Sequence, residues 1–205
     1  VSDGLGGIDT QAITVNITNQ NEAPVITSNG GGATAVASRA ENGTAVTTVT
    51  ATDPDSGAVL GFSIIGGADA ARFTINATTG ALAFATAPNF EAPTDAGANN
   101  IYDVRVQVSD GLGGTDTQDI AVTVTDLNEA PVITSNGGGA TATINRAENG
   151  TLTVTTAAAS DPDAGATRNW TIIGGADAAR FTINASTGLL AFTTCLLYTS
   201  PSPRD

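Results

Sequence analysis

Two stretches of the chain alternate apolar and polar residues with the period of a β-strand. In residues 102–108 every second side chain is apolar, and residues 120–124 repeat the pattern. The side chains of a strand point alternately to its two faces, so each stretch has one buried and one solvated face. Shorter apolar runs bounded by Gly, Asn and Asp turns predict five further strands, at residues 25–27, 45–51, 60–65, 72–75 and 81–84.

No segment of sufficient length carries the 3.6-residue period of an α-helix. Short strand patterns separated by turn-forming residues are typical of sandwiches built from antiparallel strands. The sequence therefore predicts an all-β fold, an antiparallel Greek-key β-sandwich of the immunoglobulin-like kind.

An internal repeat organises nearly the whole chain. The segment VSDGLGG at residues 1–7 returns at 108–114, and NEAPVITSNGGGATA at 21–35 returns at 128–142, both 107 positions later. A period of this length fits an autonomous β-sandwich module and exceeds the periods of solenoid repeats. The repeat predicts a tandem array, divided into the C-terminal end of one module (1–21), a complete module (22–128) and the N-terminal part of a third (129–194).

The last eleven residues, CLLYTSPSPRD at 195–205, do not continue the repeat, and they contain the only Cys of the chain. This segment is similar to the translation of an adapter used in preparing sequencing libraries. We interpret it as an artefact and exclude it from the fold prediction. Without it the chain has no Cys and no thiol chemistry is expected.

The composition narrows the chemistry that the chain can perform. The sequence contains no His and no Lys, and 20 acidic residues against seven Arg give a net charge of −13. Without His, a Ser-His-Asp nucleophile system and a typical zinc site are excluded. The negative charge disfavours nucleic acid and anionic membranes as partners and favours hard cations. No apolar run reaches the roughly 20 residues needed to span a bilayer, so direct membrane insertion is not expected.

The acidic residues of the complete module concentrate in turns and at strand ends rather than along strand faces. Five short motifs hold the candidates: AENGT with Glu41, ATDPDSG with Asp53 and Asp55, NFEAP with Glu91, VSDG with Asp110, and DLNEAP with Asp126, Asn128 and Glu129. Ca²⁺ accepts about 6 to 8 oxygen ligands with low directional demand, so carboxylates on several loops can converge on it. Without a cation such carboxylates would repel one another.

In their order and spacing these motifs resemble those of the cadherin family, specifically the cadherin-like modules of large bacterial surface and secreted proteins. AEN resembles the Glu motif after the first strand, ATDPDSG the Asp-x-Asp turn, and FTINATTGAL the Phe-x-Ile-x-x-x-x-Gly core stretch. NFE stands where the family has Asp-Arg-Glu, VSDG at the Asp near the end of the sixth strand, and DLNEAP at the linker between modules. The resemblance covers residues 1–194 and implies that Ca²⁺ binds between modules.

The resemblance also implies the calcium ligands of two junctions. Near residue 128 they would be Glu41, Glu91, Asp126, Asn128 and Glu129, with Asp161 and Asp163 of the following module. Near residue 21 they would be Asn19, Asn21, Glu22, Asp53, Asp55 and Asp110. Glu148 would face a further junction.

The chain departs from the family pattern at four positions in its motifs and linkers, and fewer or weaker calcium sites per junction are therefore expected. Asn89 and Glu129 stand where the family has Asp, Ala130 stands where it has Asn, and Asn19 replaces the Asp that is present at position 126.

The resemblance implies a non-enzymatic, calcium-rigidified adhesion or spacer repeat of an extracellular, cell-surface protein. Its partners would be Ca²⁺, neighbouring modules of the same chain and other cell-surface proteins or glycans, with homophilic adhesion included. The alternative is a calcium-independent immunoglobulin-like structural or carbohydrate-binding repeat, because DPDSG and ENGT form turns with or without metal. A hydrolase with paired carboxylates is disfavoured, since the acids lie in loops and no long insertion builds a cleft.

Two further features recur between the repeats. Arg72 and Arg180 occupy equivalent positions, and we expect them to pair with Asp69 and Asp177 on the solvated surface. Trp170 aligns with Phe62 of the complete module, and an inward-facing core position is expected for it rather than a sugar-stacking platform.

Overall fold

The computed structural model describes residues 1–194, and its strands confirm the predicted all-β fold. The proposed artefact at residues 195–205 lies outside the described residues. The strands are β1 (Val25–Ile26), β2 (Thr34–Ala40), β3 (Ala45–Thr48), β4 (Ala51–Thr52), β5 (Gly61–Gly66), β6 (Phe73–Ile75), β7 (Ala81–Phe84), β8 (Ile101–Ser109), β9 (Thr115–Thr125), β10 (Val132–Ile133), β11 (Thr153–Thr156), β12 (Ala159–Ser160), β13 (Phe181–Ile183) and β14 (Leu189–Phe192).

The helical content of the described part of the chain is limited to single 3₁₀ turns, at Ser28–Gly30, Ala70–Arg72, Ser135–Gly137 and Ala178–Arg180. None of the described helices has the length and apolar character needed to cross a bilayer. The described residues form two compact units, one of residues 1–89 and 93–125 and one of residues 90–92 and 126–194.

The first unit contains a β-sandwich built from two main sheets. One sheet has the strand order β2-β9-β8-β5 and the other the order β3-β7-β6, while β1 and β4 form a separate pair. The pairing of β8 with β9 runs over nine residues, from Ile101↔Thr123 to Ser109↔Thr115. These are the two strands with the clearest alternation in the sequence, and they are central in the larger sheet.

The core lies between the sheets and consists of the apolar positions of that alternation. Tyr102 is 1% exposed, and its ring meets the Phe84 ring edge-on with centroids 5.2 Å apart. Phe84 in turn stacks on Phe73 of its own sheet at 4.8 Å. The contact of Phe84 with Tyr102 therefore joins the two sheets. The Tyr102 hydroxyl accepts a hydrogen bond from the Thr94 N–H at 3.1 Å, which satisfies the buried phenol.

Strand β2 was not predicted, and it makes a parallel pair in a sandwich predicted to be antiparallel. It pairs with β9 over seven residues, from Thr34↔Asp119 to Ala40↔Thr125. Its sequence, TAVASRA, lacks the apolar alternation that marks a half-buried strand, and its residues are exposed or half-buried. The partner strand, rather than local pattern, fixes this edge strand, which is why the sequence does not show it.

The second unit repeats part of this architecture. Strands β10 and β12 pair as β1 and β4 do, and β11-β14-β13 reproduces the β3-β7-β6 sheet with the same register irregularity. Phe181 and Phe192 contact each other with centroids 4.9 Å apart, as Phe73 and Phe84 do in the first unit. The Trp170 side chain is half-buried. The Trp170 backbone N–H donates to the Ala185 carbonyl, just as the Phe62 backbone N–H donates to the Ala77 carbonyl.

The expected pairs of Arg with Asp form in only one of the two repeats. Arg180 lies 3.4 Å from Asp177 on the surface of the second unit. Asp69, the equivalent of Asp177, is 4% exposed and accepts hydrogen bonds from the N–H groups of Ala96 (2.7 Å) and Asp103 (2.9 Å). The prediction was wrong for Asp69, because the backbone N–H groups of Ala96, which precedes β8, and of Asp103, on β8, satisfy this buried carboxylate.

Candidate metal-binding linker sites

The linker of residues 19–22 is held against the first unit by side-chain hydrogen bonds. The Asn19 amide donates to Asp55 Oδ1 at 2.6 Å, and the Glu22 backbone N–H donates to Asp55 Oδ2 at 2.9 Å. The Asn21 amide donates to Asp110 Oδ2 at 2.8 Å. Both carboxylate oxygens of Asp55 therefore accept a hydrogen bond, and Asp55 and Asp110 together hold three of the four linker residues.

The DPDSG turn after β4 positions Asp55. The Asp55 N–H donates to Asp53 Oδ1 at 2.8 Å, and the Ala58 N–H reaches the Asp55 carbonyl at 3.3 Å. Such local side-chain bonds are characteristic of Asp in turns and form without tertiary contacts. Asp53 Oδ2, by contrast, is buried and has no hydrogen-bond partner.

The turn between β8 and β9 positions Asp110. Its Oδ1 accepts the N–H groups of Leu112 (2.7 Å) and Gly114 (3.0 Å), which leaves Oδ2 for the Asn21 amide. Asp3, in the first copy of VSDGLGG, makes the same two bonds to Leu5 and Gly7, so the turn is encoded locally.

Gly114 is a linker contact that the sequence analysis missed. A Cβ at this position would lie 2.8 Å from the Ala23 Cα and 3.0 Å from the Glu22 carbonyl oxygen. The turn backbone therefore approaches the linker too closely for any side chain. The last Gly of the GLGG repeat, at Gly7 and Gly114, was the available signal.

Hydrogen bonds from the linker favour the ionised form of Asp55 and of Asp110. The Asn19 amide, followed by the Glu22 N–H, holds the pKa of Asp55 below its ordinary value of 3.8, although the charge of Asp110 acts in the opposite direction. The Asn21 amide, followed in turn by two backbone donors of the β8–β9 turn, lowers the pKa of Asp110 against the effect of desolvation. Hydrogen bonds to the charged form favour that form.

We expect the docking of this linker to depend on acid pH with a definite sign. Because the folded-state pKa of Asp55 is lowered, its stabilising contribution is fully present above about pH 4 and is lost as the pH falls through the lowered folded value. Carboxyl ¹³C shifts recorded against pH measure this midpoint. Asn19→Ala should raise the Asp55 midpoint towards 3.8.

The control for this titration is Asp119, which lies on β9 away from the linker. The Arg105 guanidinium, 2.6 Å away, lowers the pKa of Asp119. Asn19→Ala should leave the Asp119 midpoint unchanged. Equal movement of both midpoints would contradict a local effect of the Asn19 amide.

The linker of residues 126–129 repeats the geometry within the second unit. The Glu129 N–H donates to Asp163 Oδ2 at 2.9 Å, as Glu22 does to Asp55. The Asn128 amide donates to the Glu129 carbonyl at 2.9 Å, and the Asp163 N–H donates to Asp161 Oδ1 at 3.2 Å. The predicted ligands Asn128, Glu129, Asp161 and Asp163 are thus joined by hydrogen bonds.

Three carboxylates of the second unit converge beside this linker. Glu91, Asp126 and Glu129 each offer one oxygen, and these oxygens lie within 4.8 Å of one another. Glu91 Oε2 and Asp163 Oδ1 are buried and have no hydrogen-bond partner. Buried polar atoms are almost always satisfied by protein, water or an ion, so these two mark a place where a cation fits.

Chemically, the set of oxygens fits Ca²⁺ better than a transition metal. Glu91, Asp126 and Glu129 supply hard carboxylate oxygens, Asp163 is joined to Glu129 by a hydrogen bond, and the chain has no His to provide an imidazole ligand. Glu41, the remaining predicted carboxylate, belongs to the first unit. It is 2% exposed, and its N–H donates to the Thr125 carbonyl at 3.0 Å.

Comparison with known proteins agrees with this architecture. A family model described as a cadherin domain matches residues 33–125. Repeats EC21-23 of human CDH23 are 17% identical, with a TM-score of 0.50 over 88% of this chain and 56% of that chain. Human Protocadherin-24 EC1-2 is 23% identical, with a TM-score of 0.49 over 87% of this chain and 81% of that chain.

Protocadherin gammaB7 EC3-6 is 24% identical, with a TM-score of 0.49 over 92% of this chain. The chain spans 44% of the Protocadherin Gamma B2 structure and 47% of the gammaB7 structure, less than half of each. No curated protein sequence matches the chain significantly.

The sandwich and the matching family model first define a class, that of cadherin-like β-sandwich repeats. Within the chain, the match covers residues 33–125. The resemblance inferred from the sequence motifs is confirmed for this stretch.

Proposed function

We propose that the chain is part of an extracellular adhesion or spacer array in which Ca²⁺ rigidifies the linker of residues 126–129. The observation that carries the proposal is the convergence of Glu91, Asp126 and Glu129 within 4.8 Å, beside buried carboxylate oxygens that lack partners. Carboxylates at this separation repel one another, and a divalent cation bound between them converts the repulsion into attraction. The neighbouring modules of the same chain are its first partners.

The proposed ligands are Glu91, Asp126, Glu129 and Asp163, with Asn128 and Asp161 orienting them. Oxygens from several chain segments then hold one cation, and bound Ca²⁺ supplies the charge that fixes the linker. The cadherin-domain match favours adhesion over catalysis as the role of such an array.

Calorimetric titration of the EDTA-treated chain with CaCl₂ tests this proposal. We expect binding in the range of about 10⁻⁴ to 10⁻³ M that is typical of extracellular calcium modules. Glu91→Gln and Asp163→Asn each remove one ligand charge and should weaken binding by about tenfold or more. Absence of heat at millimolar calcium would refute the calcium site.

Glu148→Gln is the matched control for Glu91→Gln. It makes the same change of charge and shape at an exposed Glu whose predicted role belongs to another junction. We expect its calcium affinity to equal that of the unmodified chain. Equal weakening by both variants would show that total charge, rather than ligation by Glu91, sets the affinity.

A further inference from the structure

The two linkers differ at one position with a direct chemical consequence. Asn19 and Asp126 occupy equivalent places, 107 positions apart, in the sequences TNQNEAP and TDLNEAP. The bond from the linker Glu to the acceptor aspartate is the same in both: Glu22 donates to Asp55 Oδ2 as Glu129 donates to Asp163 Oδ2, both at 2.9 Å. The residue that opens the linker changes from an amide to a carboxylate, and the residue after it changes from Gln20 to Leu127.

The remaining oxygen of the acceptor aspartate shows the effect of this change. Asp55 Oδ1 accepts the Asn19 amide at 2.6 Å. Asp163 Oδ1, its counterpart in the second unit, is buried and has no hydrogen-bond partner. A carboxylate at position 126 has no proton to donate, so Asp126 cannot make the bond that Asn19 makes.

We propose that the linker of residues 19–22 closes without a cation, because the Asn19 amide gives Asp55 the compensation that Asp163 lacks. The contrast with residues 126–129 rests on the calcium site proposed above. The amide removes one negative charge and supplies a proton donor to an ionised acceptor, a bond stronger than a neutral one. The substitution of Asn for Asp thus replaces a metal ligand by a hydrogen-bond donor.

Other contacts of this linker support closure without metal. The Asn21 amide faces Asp110 Oδ2 with its N–H group, the end that cannot bind a cation. Gly114 brings the β8–β9 turn against Glu22 and Ala23. Each of the hydrogen bonds from residues 19–22 to Asp55 and Asp110 is thus a donor meeting a carboxylate. Asp53 Oδ2 lacks a partner, but among the described residues no group of three or more acidic side chains converges at this linker as Glu91, Asp126 and Glu129 do at the other.

The consequence is an array with two kinds of linker. One kind, opened by Asn, stays ordered whatever the calcium concentration. The other, opened by Asp, becomes ordered only when calcium is bound. The residue at this single position then decides which junctions of the array respond to calcium.

Backbone ¹⁵N relaxation of the whole chain in EDTA and in millimolar calcium tests the inference. We expect the order parameter of the Glu22 amide to stay at about 0.85 in both conditions. The order parameter of the Glu129 amide should rise from below about 0.6 when calcium is added. Asn19→Asp should lower the Glu22 value in EDTA below about 0.6. Asp126→Asn should make Glu129 ordered in EDTA.

Asn16→Asp is the matched control, since it makes the same charge change in the same exposed segment, three residues before the linker. It should leave the Glu22 order parameter unchanged. A Glu22 value that needs calcium in the unmodified chain, or that survives Asn19→Asp in EDTA, would overturn the inference. A Glu129 value indifferent to calcium would count instead against the proposed calcium site, so the two failures are distinguishable.

Discussion

Phe84→Ala is expected to destabilise the first unit by about 3–5 kcal/mol. Phe84 is 3% exposed and contacts two aromatic rings, Phe73 at 4.8 Å and Tyr102 at 5.2 Å. Truncation removes the apolar burial of the ring and leaves a cavity between sheets whose strands are fixed by pairing and cannot collapse into it. Urea unfolding followed by the NMR signals of the Tyr102 ring measures the loss.

The internal repeat supplies the control for this variant. Phe192 occupies the same place in the second unit, but it is half-buried and its described aromatic contact is Phe181 alone. Phe192→Ala should therefore destabilise its own unit by less than Phe84→Ala destabilises the first. Equal losses would show that stacking on the neighbouring strand, rather than packing across the sandwich, carries the stability.

Strands with a buried face were predictable, and the edge strand was not. β7 coincides with its predicted residues 81–84, and β8 extends its predicted stretch by one residue at each end. The single predicted strand at 45–51 is divided into β3 and β4, with the buried Val49 between them. The Val49 N–H donates to the carbonyl of Gly80, which lies outside any strand, so Val49 takes no part in strand pairing. Alternation reports burial, and it carries no information on where a strand leaves its sheet.

Buried polar residues also escaped prediction. Gln118 lies on the buried face of β9 at 0% exposure, where the alternation suggests an apolar residue. Its amide donates to the Gly32 carbonyl at 3.0 Å, and its Oε1 accepts the Asn29 amide at 3.2 Å. This network fixes the SNGGG turn against the sheet. Asn29 and Gly32 precede Gln118 by 89 and 86 residues, so no local sequence pattern indicates this network.

The candidate site was predictable in its residue types and motifs but not in its hydrogen bonding. Turn motifs place Asp55 and Asp110 locally, and the family resemblance groups them with Asn19 and Asn21. The structure adds the direction of each amide: both Asn side chains present N–H groups to carboxylates. Donor direction depends on tertiary neighbours, and it decides whether an Asn acts as a metal ligand or as a replacement for one.

Gly80→Ala is expected to destabilise the first unit by about 3 kcal/mol or more. Gly80 has φ +69°, a conformation that costs any residue with a Cβ, and the added carbon would collide with the Val49 carbonyl oxygen. The two backbones cannot separate freely, because the Val49 N–H donates to the Gly80 carbonyl at 2.8 Å. The Phe62 ring, 3.4 Å from the new carbon, closes the remaining side. Urea unfolding measures the change.

Gly57→Ala separates the two causes of this loss. Gly57 has φ +85° in the DPDSG turn, and nothing lies within 4 Å of a Cβ built there. It therefore carries the conformational penalty without the collision, and about 1 kcal/mol is expected. A loss at Gly80 no larger than that at Gly57 would mean that the Val49 segment shifts to make room. In that case the contact between β7 and the segment joining β3 to β4 would be compliant, and the required Gly would reflect backbone conformation alone.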